Sequence, residues 1–194
     1  MAGHLTLTPE LETFRAAFEG IADEADALAG TLTNDQFNWH PPSGGWSVAQ
    51  CIEHLNVTAR LYLPNLDEGI AEAIRRGLYG DGPFRYGWLG RKMVQSQEPT
   101  TKRKYKAAKA FQPPPARPRP ESMAAFRAYQ MQFIDRLRQA NGLDLSRARV
   151  RSPVISWLRL QLGSGFALVV AHERRHLQQA RNVINDPAFP VAKT

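Results

Sequence analysis

The sequence predicts an all-α protein, a four-helix bundle with a long crossover between helices two and three. Apolar residues recur at intervals of three and four in four long stretches, which is the period of an amphipathic helix. No stretch shows the alternation of apolar and polar residues that is typical of a strand. Residues 80–120 separate two helical stretches and are rich in glycine and proline. We therefore expect one domain over residues 1–194, with residues 80–120 as a long surface crossover that has room for a short helix between its glycines and prolines.

Capping residues mark where the first two predicted helices begin. The first begins after Thr8, with Pro9 at the first helical position, and ends near Gly30. Ser47 and Gln50 form a capping box of the type Ser-x-x-Gln, which starts the second helix. These signals indicate helices of ordinary length that are joined by polar links.

The remaining helices are predicted from periodicity and from the residues that end them. Pro64 lies inside the second helix and is expected to kink or break it. The third helix covers roughly residues 121–140. The fourth covers roughly residues 156–184, or starts nearer Ser164 because Gly163 and Gly165 weaken its first turns. Trp157 is assigned to the buried stripe of the fourth helix.

Two tryptophans flank the Pro- and Gly-rich link between the first and second helices. We expect Trp39 and Trp46 to cover the end of the bundle as structural residues. An aromatic wall over a substrate site is the alternative interpretation.

Composition excludes several classes of protein. Hydrophobic residues make up 43% and charged residues 22%, which is ordinary for a globular protein. Cys51 is the single cysteine, so an internal disulfide and a Cys-rich zinc site are excluded. No apolar run approaches the ~20 residues of a membrane span, and the first residues lack the features of a secretory signal. We expect a cytoplasmic protein that does not contact membranes.

The net positive charge is concentrated in one segment. The chain carries +7, and residues 101–120 contain seven Lys and Arg and no acid. Three interpretations stay open: a solvated loop, a site for an anionic substrate or thiol cofactor, or a nucleic-acid contact. No recognised DNA-binding motif accompanies the segment. The candidate anion-binding residues are Lys102, Arg103 and Lys104.

Three histidines on predicted helices suggest a metal site. His172 and His176 are four residues apart, so their rings project from one face of the fourth helix, one turn apart. His54 lies on the second helix, and two packed helices can bring all three imidazoles to one point in the core. Three neutral imidazoles around a divalent ion leave positions open for water or substrate. The alternative is that each histidine is an ordinary structural residue.

Residues 172–176 also match the His-Glu-x-x-His pattern of zinc proteases. In those enzymes the glutamate is a general base and a third ligand usually follows, but no His or Glu follows His176. A protease is therefore disfavoured, and the missing ligand must come from upstream, where His54 lies. Glu173 is the candidate base or a group that supports the ligands, and an ordinary charge on the helix surface is the alternative.

The sequence resembles the DinB / YfiT-like superfamily, bacterial four-helix metalloproteins. That family has a Pro-x-x-x-Trp-Ser opening to helix two, a histidine about a turn and a half later, and His-x-x-x-His on helix four. All three metal positions are filled by histidine here. The matching segments are residues 41–50, 53–55 and 171–179.

The resemblance implies a divalent ion, nickel, zinc or iron, held by His54, His172 and His176. It also implies a homodimer in many members and, in some, a low-molecular-weight thiol as cosubstrate; other members are called metal-dependent hydrolases. Arg175 and Gln178 are side chains that the resemblance places behind the ligands. Cys51 precedes His54 by about one turn and either lines the pocket or packs in the core.

Two enzyme mechanisms fit such a site, and the motif does not separate them. The ion activates water for hydrolysis, or it stabilises a thiolate for transfer to a small electrophilic substrate. The competing class is a non-enzymatic bundle, or a module that binds an anion or nucleic acid through residues 101–120.

Overall fold

The computed structural model describes residues 6–101, 107–114 and 117–190. Within these residues it contains six α-helices and one two-stranded antiparallel sheet. The helices are α1 (Pro9–Ala29), α2 (Asn34–Asn38), α3 (Val48–Arg75), α4 (Trp88–Gln97), α5 (Arg119–Gln139) and α6 (Leu162–Ile184). The strands are β1 (Arg149–Arg151) and β2 (Arg159–Gln161). No helix among the described residues is long and apolar enough to span a membrane.

The four long helices form the predicted bundle. Helix α3 packs against α5 and α6, and α1 packs against the same two helices. Their apolar stripes meet in one core, where the rings of Phe18 and Phe133 stack with centroids 5.0 Å apart. The capping box of Ser47 and Gln50 is present at the start of α3, as predicted. The all-α bundle is therefore confirmed, and α3 and α6, which carry the three histidines, are neighbours.

Helix α3 continues through Pro64, so the break that was one of the two predicted outcomes does not occur. A proline in a helix removes one backbone hydrogen bond and crowds the preceding turn. Pro64 lies on the exposed side of α3, where water can bind the carbonyl that has lost its donor. The helix thus stays continuous from Val48 to Arg75.

Of the two starts predicted for the fourth helix, residue 156 is wrong and the later one, near Ser164, is close to the observed start at Leu162. Residues 159–161 form β2, which pairs with β1 so that Leu160 lies opposite Val150, both buried. Trp157, predicted to be buried, lies in the turn before β2 and is 82% exposed. Glycine at the start of α6 admits this hairpin, because a Cβ at Gly165 would lie 2.6 Å from Cγ1 of Val150.

The crossover contains a short helix, α4, as the sequence analysis allowed, and one further turn. Helix α4 packs against α6. A single 3₁₀ turn, Lys109–Phe111, packs against α3 and buries the Phe111 side chain. The crossover therefore supplies part of the surroundings of the histidines. The short helix α2, which the sequence analysis did not predict, begins with a capping box formed by Thr33 and Gln36.

Candidate metal centre

The structure brings His54, His172 and His176 together between α3 and α6. One nitrogen from each ring lies within 4.8 Å of the other two. Nε2 of His54 and Nε2 of His172 are 3.2 Å apart. Residues 172 and 176 meet residue 54 because they occupy successive turns on the face of α6 that packs against α3.

Hydrogen bonds orient two of the rings. Nδ1 of His54 donates to the Phe111 carbonyl at 2.6 Å, and Nδ1 of His176 donates to Oε1 of Gln179 at 3.1 Å. With Nδ1 protonated, Nε2 carries the lone pair in both rings. Among the described residues, Nδ1 of His172 is buried without a hydrogen-bond partner. Two of the three imidazoles therefore present Nε2 as an acceptor.

The surroundings keep all three imidazoles neutral. Burial lowers the pKa of His54, although its bond to the Phe111 carbonyl acts in the opposite direction. Burial lowers the pKa of His172 well below its usual value, and the charges of His176, His54 and Arg175 add to the effect. Burial, with contributions from His54 and Arg175, lowers the pKa of His176 to about 3. Neutral imidazole is the form that binds metal.

The residues present fit a divalent metal ion. Nitrogen ligands ~2.0–2.1 Å from a tetrahedral ion lie about 3.3 Å from one another. The separation of 3.2 Å between Nε2 of His54 and Nε2 of His172 is close to that value. In His54 and His176 the other ring nitrogen, Nδ1, bonds to a carbonyl and to a side-chain oxygen, and bonds of this kind orient metal-binding histidines.

Trp46 covers the histidine cluster. Its ring centroid is 4.8 Å from that of His54 and 5.6 Å from that of His176, with the latter pair nearly parallel. Trp39 packs elsewhere, edge-on to Phe189 at 5.4 Å. The two tryptophans thus differ: Trp46 forms a wall of the candidate site, and Trp39 is a packing residue.

Glu173 is not one of the side chains that converge in the histidine cluster. It is 2% exposed, and its Oε1 accepts a hydrogen bond from Nε2 of Gln130 on α5 at 3.0 Å. Its Oε2 has no partner among the described residues. Burial raises the pKa of this carboxyl to about 8. Its environment is therefore the buried interior of the bundle and not the helix surface.

The other residues that the sequence analysis singled out have partners outside the histidine cluster, are buried in the core or lie outside the described residues. Arg175 donates from Nη1 to the carbonyl of Ser96 at 2.9 Å and so links α6 to α4. Gln178 bonds along α6, to Asn182 at 2.9 Å and Arg181 at 3.1 Å. Cys51 is fully buried in the hydrophobic core, and burial raises the pKa of its thiol to about 12. Lys102, Arg103 and Lys104 lie outside the described residues.

Sequence reasoning missed two groups that touch the ligands. Gln179 follows His176 by three residues, so helical spacing alone could have identified it as a neighbour. The Phe111 carbonyl offers no such signal, because a backbone atom 57 residues away in sequence meets His54 only in the folded chain.

Comparison with known proteins agrees with this architecture. The sequence model of the DinB superfamily matches residues 17–180. Among solved structures, YfiT from Bacillus subtilis superposes with a TM-score of 0.61 at 13% identity, covering 98% of this chain and 95% of that one. It is described as "a probable metal-dependent hydrolase with an unusual four-helix bundle topology". A search of curated proteins found no match.

Proposed function

Because this chain belongs to the DinB superfamily, we propose that it is a metal-dependent enzyme whose single divalent ion is held by His54, His172 and His176. The observation that carries the proposal is the convergence of three neutral imidazoles within 4.8 Å. Nickel, zinc and iron all suit nitrogen ligands of this kind. When bound, the ion would act as a Lewis acid that activates a water molecule or a thiol of a small-molecule substrate.

The chain's own residues prepare the site for this chemistry. The Phe111 carbonyl and Gln179 accept hydrogen bonds from Nδ1 of His54 and Nδ1 of His176, which leaves Nε2 of both rings free to bind a metal ion. Arg175 disfavours protonation of His172 and His176. Trp46 excludes bulk water from one side of the rings. For Glu173, the hydrogen bond from Gln130 supports a structural role that links α6 to α5 through the interior of the bundle, not proton transfer at the ion.

Of the two reactions, hydrolysis and thiol transfer, the first matches the description of YfiT. Thiol transfer requires a thiol from outside, because Cys51 is buried and its pKa is raised. We therefore propose activation of water as the main reaction and transfer of a low-molecular-weight thiol as the second candidate.

Metal content is the first test. Protein purified without a His tag should contain about one nickel, zinc or iron per chain by elemental analysis. The His172→Ala variant should contain none, because it loses a central ligand. The matched control is His40→Ala, since His40 lies in the loop before α3 with Nδ1 3.2 Å from the Gly45 carbonyl. Wild-type protein that is free of metal after refilling with each ion would contradict the proposal.

Substrate screening separates the two reactions. Metal-loaded protein is assayed with ester and amide substrates, and in parallel with electrophiles plus a thiol such as cysteine or glutathione. Water activation predicts turnover without thiol, whereas thiol transfer predicts turnover only when thiol is present. His54→Ala should abolish either activity, and activity that survives this substitution would remove the metal from the mechanism.

A further inference from the structure

The hairpin of β1 and β2 has one face against the bundle and one face in solvent. Strand β1 packs against α3, and both strands contact α6. The inward side chains, Val150 and Leu160, are buried. A Cβ at Gly69 of α3 would lie 2.5 Å from the Arg149 carbonyl oxygen, so strand and helix are in direct backbone contact. The hairpin is therefore firmly seated, and its other face is free to meet a partner.

The loop at the end of the hairpin exposes three apolar side chains. Val154, Ile155 and Trp157, which we call the hairpin tip, are 61%, 36% and 82% exposed. Hydrogen bonds fix the loop: Oγ of Ser152 accepts from the backbone N–H of Val154 at 3.3 Å and of Ile155 at 3.1 Å. The N–H of Leu158 donates to the Ile155 carbonyl at 2.9 Å. Apolar side chains that an ordered loop holds in solvent mark interaction sites.

Three arginines occupy the exposed face of the strands behind the tip. Side chains alternate along a strand, so Arg149, Arg151 and Arg159 lie opposite to the buried residues. Arg151 and Arg159 are cross-strand partners, and like charges in such positions repel each other. With the described residues, none of the three forms an ion pair or a side-chain hydrogen bond. Residues 145–171 contain no Asp or Glu, so this positive charge is left without local compensation.

A second apolar group lies beside the arginines. Trp88 and Leu89, at the start of α4, are both exposed. They line a cleft of about 280 Å³ whose other wall includes Arg149 and Arg159. The arginines thus adjoin exposed apolar side chains on two sides, at the tip and at the start of α4.

Charge and side-chain type favour a lipid surface over two other occupants. A second copy that bound through this face in a symmetric dimer would bring arginines toward arginines, with no acid on the face to pair with them. A single-stranded nucleic acid stacks on tryptophan and pairs with arginine, but leaves Val154 and Ile155 without a partner. A bilayer of anionic lipids suits both features, because its phosphates pair with arginine and its headgroup region accepts aliphatic side chains and tryptophan.

We propose that the hairpin tip and the three arginines bind the surface of an anionic phospholipid bilayer. The tip enters the headgroup region, and Arg149, Arg151 and Arg159 contact lipid phosphates. A contact of this kind is peripheral and needs no spanning helix. It therefore differs from the expectation, drawn from the sequence, that the protein does not contact membranes. The inference does not depend on the metal ion, because none of these residues belongs to the histidine cluster.

Sedimentation with lipid vesicles tests the proposal. Wild-type protein is mixed with vesicles of phosphatidylcholine alone, and with vesicles that contain about one third phosphatidylserine, at about 0.1 M salt. Affinity for the anionic vesicles should be higher by roughly tenfold or more, because three arginines meet a negative surface. Absence of binding to the anionic vesicles, or equal binding to both kinds, would overturn the proposal.

One pair of variants tests insertion of the tip. Trp157→Ser should weaken binding to the anionic vesicles by roughly tenfold or more, because a large apolar side chain no longer enters the headgroup region. The matched control is Met131→Ser, since Met131 is an exposed apolar residue on α5. Both side chains are exposed in the free protein, so both variants should fold. Unchanged affinity in Trp157→Ser would reduce the binding to attraction between a basic protein and an anionic surface, and would refute the proposal.

A second pair of variants tests the arginines. Arg151→Gln should weaken binding roughly fivefold, and it should fold because it also removes the repulsion from Arg159. Arg60→Gln changes the net charge equally at an exposed position on α3, and its effect should stay below about twofold. Equal effects of the two substitutions would show that only net charge matters, which contradicts a defined binding face.

Two further measurements test the other occupants. Sedimentation velocity would reveal a dimer that Trp157→Ser dissociates, and titration with oligothymidylate would reveal nucleic-acid binding through Trp157. Either result, in a protein that does not bind the anionic vesicles, would overturn the proposal. The metal-deficient His172→Ala protein should bind these vesicles as wild type does, so the outcome is independent of the proposed enzymatic function.

Discussion

Glu173 is a buried acid that should destabilise the fold at neutral pH, and its replacement by glutamine should stabilise the metal-free protein. Burial raises its pKa to about 8 from the ordinary value of 4.5. Between these values the folded chain holds a proton that the unfolded chain has released, so stability falls as the pH rises through this window. A carboxamide at position 173 carries no charge to bury and has no such pH dependence.

The size of the effect follows from the pKa shift. At 1.36 kcal/mol per unit, the 2.5 units between pH 4.5 and pH 7 correspond to about 3 kcal/mol. The hydrogen bond from Nε2 of Gln130 to Oε1 is retained in Glu173→Gln. The new amide can also donate, and Oε1 of Gln130 is a buried acceptor without a partner among the described residues. We therefore expect stabilisation of up to about 3 kcal/mol at pH 7 that disappears near pH 4.5.

Urea unfolding of chelator-treated protein at pH 7 and pH 4.5 measures this. Glu68→Gln, at an exposed position, should change stability by less than about 0.5 kcal/mol at either pH. The reasoning is wrong if Glu173→Gln lowers stability at pH 7, or if its effect is the same at both pH values. Metal content of the variant should match wild type, because Glu173 is not among the side chains that converge in the histidine cluster.

Further predictions concern the core and the histidines. Gly69→Ala should lower the free energy of unfolding by about 1–3 kcal/mol in urea, since its Cβ would lie 2.5 Å from the Arg149 carbonyl oxygen. Gly20→Ala, whose Cβ would have no atom within 4 Å, should raise it by about 0.5–1 kcal/mol. Destabilisation at both positions would contradict this. Cys51 should resist Ellman's reagent at pH 8 until the protein unfolds, because burial raises its pKa to about 12; rapid native labelling would show that α3 opens. Below pH 6.5 the unfolded chain binds a proton at His176 that the folded ring, with a pKa of about 3, does not bind, so metal-free wild type loses stability as the pH falls. In His176→Asn the loss of unfolding free energy between pH 7.5 and pH 5 should be smaller by about 2 kcal/mol. An unchanged pH dependence would refute this.

Capping residues and periodic apolar stripes predicted the main helices well. The capping box at Ser47 and the stripe that follows it led directly to α3. The same signals were ambiguous before α6, where they allowed a start at residue 156 as well as one near Ser164. Residues 159–161 pair instead with residues 149–151, and this pairing depends on a segment that periodicity within one window does not see.

In the candidate site, too, some features could be predicted from the sequence and others depend on tertiary packing. The spacing of His172 and His176 placed two rings on one face of a helix. His54 was added because it lies on another predicted helix that can pack against the first, and the family resemblance supported the same set. The bond from His54 to the Phe111 carbonyl, the cover of Trp46 and the burial of Glu173 against Gln130 depend on packing between elements distant in sequence.

By itself, the sequence determined the helical class, the starts of the main helices and which imidazoles share a helix face, because these follow from propensities and periods within a few turns. Only the tertiary structure decided which nitrogens converge and which charges are buried. Distances, desolvation and pKa shifts arise when α3, α5, α6 and the crossover exclude water from one another, and no single stretch of sequence contains that information.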